Sequence, residues 1–148
     1  MTNSLAGWFL IIVAIVVAFM CIAALMGPSA PVAPPDAAQS ASNLWAQIKA
    51  QVSDHGLKKH VEAQDIQDSC NQNGPIQTWK DSYEKGKFYF LCKLDESKYG
   101  TNKYGIIPVI KDGATWIGKT AFSPKGGTWN EVLNYLMNTA TRFNGILP

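Results

Sequence analysis

No lysine or arginine occurs before Lys49, and only one acid, Asp36, precedes residue 43. All 13 basic residues and ten of the 11 acids therefore lie beyond that point, leaving residues 43–148 with a net charge of about +3. That is too little to demand nucleic acid and too much to exclude it. No Cys-x-x-Cys joins any of the three cysteines, which excludes the usual thiol redox motif. Internal repeats are absent, and the composition excludes collagen, coiled coil and full-length disorder. The chain has two histidines, with no Cys or carboxylate pair placed to complete a ligand set. Neither a metal nor a cofactor is expected.

An uncharged apolar run is present instead. Trp8 to Met26 is 19 residues without a charge. As a helix it would span roughly 28 Å, close to bilayer thickness. A signal peptide would want a basic start, a shorter apolar stretch and a small-x-small exit. Gly27, Ser29 and Ala30 supply small residues, so cleavage stays open, but Met1 to Gly7 supplies no base. Ala18-Phe19-Met20 is too bulky for lipoprotein processing at Cys21. Residues 1–27 are thus read as a single-pass transmembrane anchor, with the bilayer as partner through residues 8–26. Pro28 to Ser42, with prolines at 28, 31, 34 and 35, reads as a semi-rigid linker. The N-terminal amine favours an inside start, which sends the globular domain of residues 43–148 to the extracytoplasmic side.

That domain reads as α+β: two helices, a four-stranded antiparallel sheet and a C-terminal helix. Ser42 is placed to cap a helix opening at Asn43, with Leu44, Trp45, Ile48 and Val52 on one face. A second helix is expected from about Leu57, with Leu57, Val61, Ile66 and Cys70 inward, ending at Asn73-Gly74-Pro75. The period then changes to two. Strands are expected over Ile76 to Trp79, over Lys87 to Leu94 with Phe88, Phe90, Cys92 and Leu94 on one face, over Tyr104 to Ile110 and over Thr115 to Phe122. Pro108 predicts an edge or a bulge. Thr128-Trp129-Asn130-Glu131 has capping-box spacing, and Trp129, Val132, Leu133, Leu136, Met137, Ala140 and Phe143 form an apolar stripe closed by Asn144-Gly145.

Cys70 and Cys92 both read as inward-facing. An unstrained bridge would close a loop of about twenty residues and contribute roughly 3 kcal/mol, provided the compartment oxidises. Two buried thiols acting as small hydrophobes are the alternative. Both histidines fall in His55-Gly56-Leu57-Lys58-Lys59-His60, a small positive corner. An ordinary solvated helix start would look the same. The chemical reading is metal-independent RNA cleavage, which needs a base near neutral pKa for the 2′-hydroxyl and a cation on the phosphate. Trp116 and Tyr104 would stack on bases if exposed.

These residues carry a resemblance. His55 to His60, then Ile66, Cys70, Asn73-Gly74-Pro75, Leu91-Cys92, Tyr104-Gly105-Ile106 and Lys119-Thr120-Ala121-Phe122, look like small domains of phages and mobile elements. Such domains resemble the barnase–EndoU–colicin D–RelE-like (BECR) ribonuclease superfamily. The similarity covers roughly residues 43–143 through short motifs. It implies that His55, Lys59, His60 and Thr120 face one cleft as catalytic residues, with RNA as partner. Lys59 stands where such domains often carry Arg, and loses the bidentate fork. The anchor is a further departure, because such ribonucleases act in cytoplasm. The alternative is a non-catalytic extracytoplasmic interaction module with a protein partner, whether free-standing or part of a secretion or conjugation machine.

Overall fold

A computed structural model describes residues 35–53 and 61–143. The chain divides at Val32/Ala33, and everything that follows concerns the second unit. The apolar run at residues 8–26, read as the anchor, lies outside the described residues. No described helix is long and apolar enough to cross a membrane.

The element order is α1 (Pro35–Ile48), β1 (Val52–Ser53), α2 (Val61–Asn73), β2 (Gln77–Asp81), β3 (Lys87–Lys93), α3 (Glu96–Tyr99), β4 (Tyr104–Asp112), β5 (Thr115–Gly118), a 3₁₀ turn at Pro124–Gly126, α4 (Trp129–Thr139) and β6 (Ala140–Phe143). The class is α+β, as the periodicities imply. The sheet is larger than the expected four strands. Strands β5-β4-β3-β2-β6 are antiparallel neighbours, and the two-residue β1 adds a parallel edge beside β5.

Adjacent residues of β3 show how the layers stack. Phe90 meets Trp45 of α1 with ring centroids 5.0 Å apart, while Tyr89 meets Tyr135 of α4 edge-on at 6.3 Å. Successive strand side chains point to opposite faces, so α1 and α4 cover opposite faces of the sheet. The α1/α2 side holds the main core: Leu44, Trp45, Ile48, Ala63, Ile66, Cys70, Phe88, Phe90, Cys92 and Val109. On the other side Tyr104 packs edge-on against Trp129 at 5.0 Å, and Val132 and Leu136 are fully buried. Both faces of β3 are thus covered, which is why Tyr89 and Leu91 are as buried as Phe88 and Phe90.

The bridge expected between Cys70 and Cys92 is present, with Cα atoms 5.3 Å apart and both residues fully buried. It ties α2 to the central strand. Next to it, Cys92 pairs with Gly105 across the sheet. A Cβ on Gly105 would lie 2.6 Å from Ile66 Cγ1 and 2.7 Å from Cδ1. Close helix-to-sheet approach at the bridge therefore requires glycine there.

Several boundaries differ from the sequence reading, each for a physical reason. Helix α1 opens at Pro35 instead of Asn43, so residues 35–42, read as the end of the linker, belong to it. Proline at a helix start forfeits no bond, because that N–H has no intrahelical partner. Ala37 and Ala41 then extend the Leu44-Trp45-Ile48 stripe and are buried with it. Ser42 sits inside the helix, not at its cap. A Cβ on Gly74 would come within 2.6 Å of its Oγ. Val52 leaves the helical face for strand β1.

Pro108 lies in the interior strand β4, neither on an edge strand nor in a bulge. It is tolerated because β5 ends at Gly118, and Pro108 supplies only a carbonyl to that side, accepting from Lys119 N–H at 2.8 Å. The Lys98–Lys103 stretch, read as a turn, begins inside the short helix α3. The capping box forms, with Glu131 Oε2 accepting from the Thr128 hydroxyl at 2.7 Å and from its N–H at 3.3 Å. Helix α4 nevertheless stops at Thr139, and Ala140–Phe143 becomes β6 against β2. The free edge of β2 offers a ladder to a β-branched, aromatic-ended segment that helical periodicity alone does not register. Met137, expected inside, is 65% exposed.

Candidate functional site

The cleft expected from the resemblance is only partly described. His55, Lys59 and His60 lie outside the described residues. Thr120 is placed: it follows β5, half-buried, between exposed Lys119 and Ala121 of the core. The strand expected to carry it ends two residues earlier, at Gly118. The two aromatics considered for base stacking are buried. Trp116 packs on Phe88 at 5.9 Å with Lys111 Nζ 5.7 Å over its ring, and Tyr104 packs on Trp129. Both rings are almost wholly covered by these neighbours, so neither is exposed for a base to stack on.

Two surface features were not visible in the sequence. The first is a polar trough between α2 and the β3–β4 connection. Asp65 Oδ2 accepts from Lys98 Nζ at 2.6 Å and from the Tyr99 hydroxyl. The Lys98 ammonium, then the Tyr99 hydroxyl, hold the Asp65 carboxyl below its usual range. Burial, then the bond to Asp65, push the Tyr99 phenol up to about 12. Asp95 caps α3, accepting from Ser97 Oγ at 2.8 Å and Ser97 N–H at 2.9 Å, and these bonds lower its carboxyl. Lys93 pairs with Glu96 at 2.8 Å, which raises its ammonium. Ser69 and Gln72 complete the walls. The carboxylates here bind neighbouring side chains and backbone, and among the described residues no group of three or more His, Cys, Asp or Glu could hold a metal. Asp65 and Lys98 are 33 residues apart, a separation no local pattern registers.

The second is a cleft of about 370 Å³ between α4 and the segment after β5, lined by Phe122, Pro124, Lys125, Glu131, Asn134, Tyr135 and Asn138. Its walls are pinned from behind. Phe122 exchanges both backbone bonds with Ile106, at 2.8 and 3.0 Å, and its ring meets Tyr135 edge-on at 5.2 Å. Gly127 closes the turn on Pro124 O at 2.8 Å and accepts from Tyr104 N–H at 2.7 Å. With φ +81°, and the Tyr104 carbonyl 2.6 Å from where a Cβ would stand, only glycine fits there. Lys125 itself adopts φ +46°, uncommon for a lysine.

A third polar cluster is structural. Asp81 accepts from Tyr89 Oη at 2.5 Å, Tyr83 N–H at 2.8 Å and Glu84 N–H at 2.6 Å, closing the β2–β3 tip. Burial works to raise the Asp81 carboxyl, and these bonds with Lys87 nearby outweigh it and hold it low. Burial, then Asp81, push the Tyr89 phenol far above its ordinary value.

Compared with protein-family models, curated proteins and solved structures, the chain matches none. The described residues define an α+β domain, helices on both faces of its sheet, with a buried disulfide and one preformed amphipathic cleft.

Proposed function

We propose that this chain is a membrane-tethered module of an oxidising, extracytoplasmic compartment, and that it acts by binding and not by cleaving bonds. The Cys70–Cys92 bridge carries this reading. It lies fully buried between a helix and the central strand, and such bridges persist where the compartment oxidises. The uncharged run from Trp8 to Met26 supplies the tether. The chemistry of the described polar clusters agrees. Asp65, Asp81, Asp95, Glu96 and Glu131 are each engaged by neighbours that fix loops or helix ends. Each of these carboxylates has at least one oxygen committed to holding the fold, which supports a structural role for them over proton abstraction.

The test uses the full chain in native membranes. Cys70 and Cys92 should resist alkylation until the protein is denatured and reduced, and the chain should stay with membranes through alkaline carbonate. RNA incubated with it in EDTA should remain intact. Free thiols in the native protein would move the domain to the cytoplasm. Cleavage leaving a 2′,3′-cyclic phosphate, abolished in His60→Ala, would replace this reading with the ribonuclease that the BECR resemblance implies.

A further inference from the structure

We infer that the cleft between α4 and the Phe122–Lys125 segment is a binding site for a neutral carbohydrate, one or two pyranose rings of a glycan chain. This deepens the binding-module reading and rests on it.

The cleft has the make-up of a ligand site: mostly apolar walls, a few convergent polar groups, and a volume within the small-molecule range of roughly 300–1,000 Å³. Phe122 and Tyr135 provide half-buried aromatic surface, with Pro124 beside them. An aromatic wall suits the apolar C–H face of a pyranose. The polar groups decide which ring. Asn134 and Asn138 stand one helical turn apart on α4 and both line the cleft. Each carboxamide offers two donors and an acceptor, matching paired hydroxyls that also donate and accept. Lys125 brings one positive charge and Glu131 one negative, so the rim is balanced. A charged ligand would meet a like charge on one side, whereas a neutral polyhydroxylated one uses both. Glu131 accepts from Thr128 through Oε2, which leaves Oε1 for a ligand.

Preorganisation supports the same assignment. The wall hangs on the Ile106–Phe122 bridge, the Gly127 turn and the capping box, all formed by the chain's own hydrogen bonds with no ligand needed to complete them. Weak, exchanging ligands such as sugars benefit most from a site that needs no reordering.

The experiment titrates the isotope-labelled full chain in dodecylphosphocholine micelles, whose headgroup carries no sugar. The probes are maltotriose, cellotriose and triacetylchitotriose. At least one should shift the side-chain amides of Asn134 and Asn138 and the Tyr135 ring, saturating below about 10 mM. Asn134→Ala/Asn138→Ala, at exposed helical positions, should fold normally and bind at least about tenfold more weakly, a difference of about 1.4 kcal/mol. Asn73→Ala, at the end of α2 on the opposite face of the sheet, should leave the titration unchanged. The assignment is overturned if none of the three sugars gives saturable shifts, if the double variant binds as well as wild type, or if trigalacturonate binds more tightly than every neutral sugar. Should that happen while the disulfide stays intact and RNA stays uncleaved, the carbohydrate site alone falls and the binding-module reading survives.

Discussion

Gly105→Ala is the sharpest probe of how the helices sit on the sheet. The new methyl would lie 2.6, 2.7 and 2.9 Å from Cγ1, Cδ1 and Cγ2 of Ile66, three atoms of one fully buried side chain. Ile66 has little room to yield, because α2 is held beside it by the Cys70–Cys92 bridge. Overpacking of this kind costs about 1–3 kcal/mol. Gly105 does not have positive φ, so alanine also gains roughly 0.4–1 kcal/mol by restricting the unfolded chain. The net expectation is a loss of about 1–2 kcal/mol, a fall in Tm of about 5–10 °C for a domain of this size. A double-mutant cycle separates the clash from general damage. Ile66→Val should rescue little, since both branch carbons that remain still lie inside contact distance. Ile66→Ala alone should cost about 2–5 kcal/mol through its cavity. Combined with Gly105→Ala it should cost at least about 1 kcal/mol less than the sum, because the added methyl occupies space the isoleucine vacated. The assay is thermal and urea unfolding of the full chain followed by near-UV circular dichroism. Additivity within about 0.5 kcal/mol would refute the close approach of Ile66 and Gly105.

Removing the bridge with Cys70→Ala/Cys92→Ala frees a loop of sequence separation 22, which should cost about 3.4 kcal/mol on chain-entropy grounds and lower the urea midpoint accordingly. An unchanged midpoint would mean that the link contributes nothing to the folded state. Thr128→Ala removes half of the capping box and should cost about 1 kcal/mol, read as a lower Tm without lost helicity elsewhere. The Tyr99 phenol, raised in the fold to about 12, favours the folded state fully below the ordinary phenol value near 10, and that contribution is lost as pH rises towards 12. Tyr99→Phe should therefore flatten the stability loss over that window and delete one late-ionising phenol from the ultraviolet titration. Asp65 has the opposite sign: its lowered carboxyl stabilises above the ordinary carboxylate value and stops doing so as acid protonates it. Lys98→Ala should move the Asp65 carboxyl titration, followed by carbon-detected NMR, to higher pH.

Local pattern by itself determined much of this protein. The Phe88–Phe90–Cys92 alternation, the β2-to-β5 meander, the capping box at Thr128 and Glu131, and the inward faces of Cys70 and Cys92 follow from spacing within one element or from the turn signals between elements. The bridge joining the two cysteines, by contrast, spans a separation of 22 and needed the packing of α2 on β3. Tertiary structure decided whatever depended on a distant partner. Ala37 and Ala41 read as linker until a sheet exists to bury them, and Ser42 reads as a cap until Gly74 arrives beside it. Ala140–Phe143 continues a helical stripe until the open edge of β2 offers backbone bonds. Trp116 and Tyr104 look available for stacking until Phe88 and Trp129 close on them. The Asp65–Lys98–Tyr99 cluster and the Phe122–Tyr135 cleft join residues 13 to 34 positions apart, and no period of two or 3.6 reaches that far. Periodicity reports which face of an element is apolar; only packing reports what meets it, and so which polar groups remain free to bind.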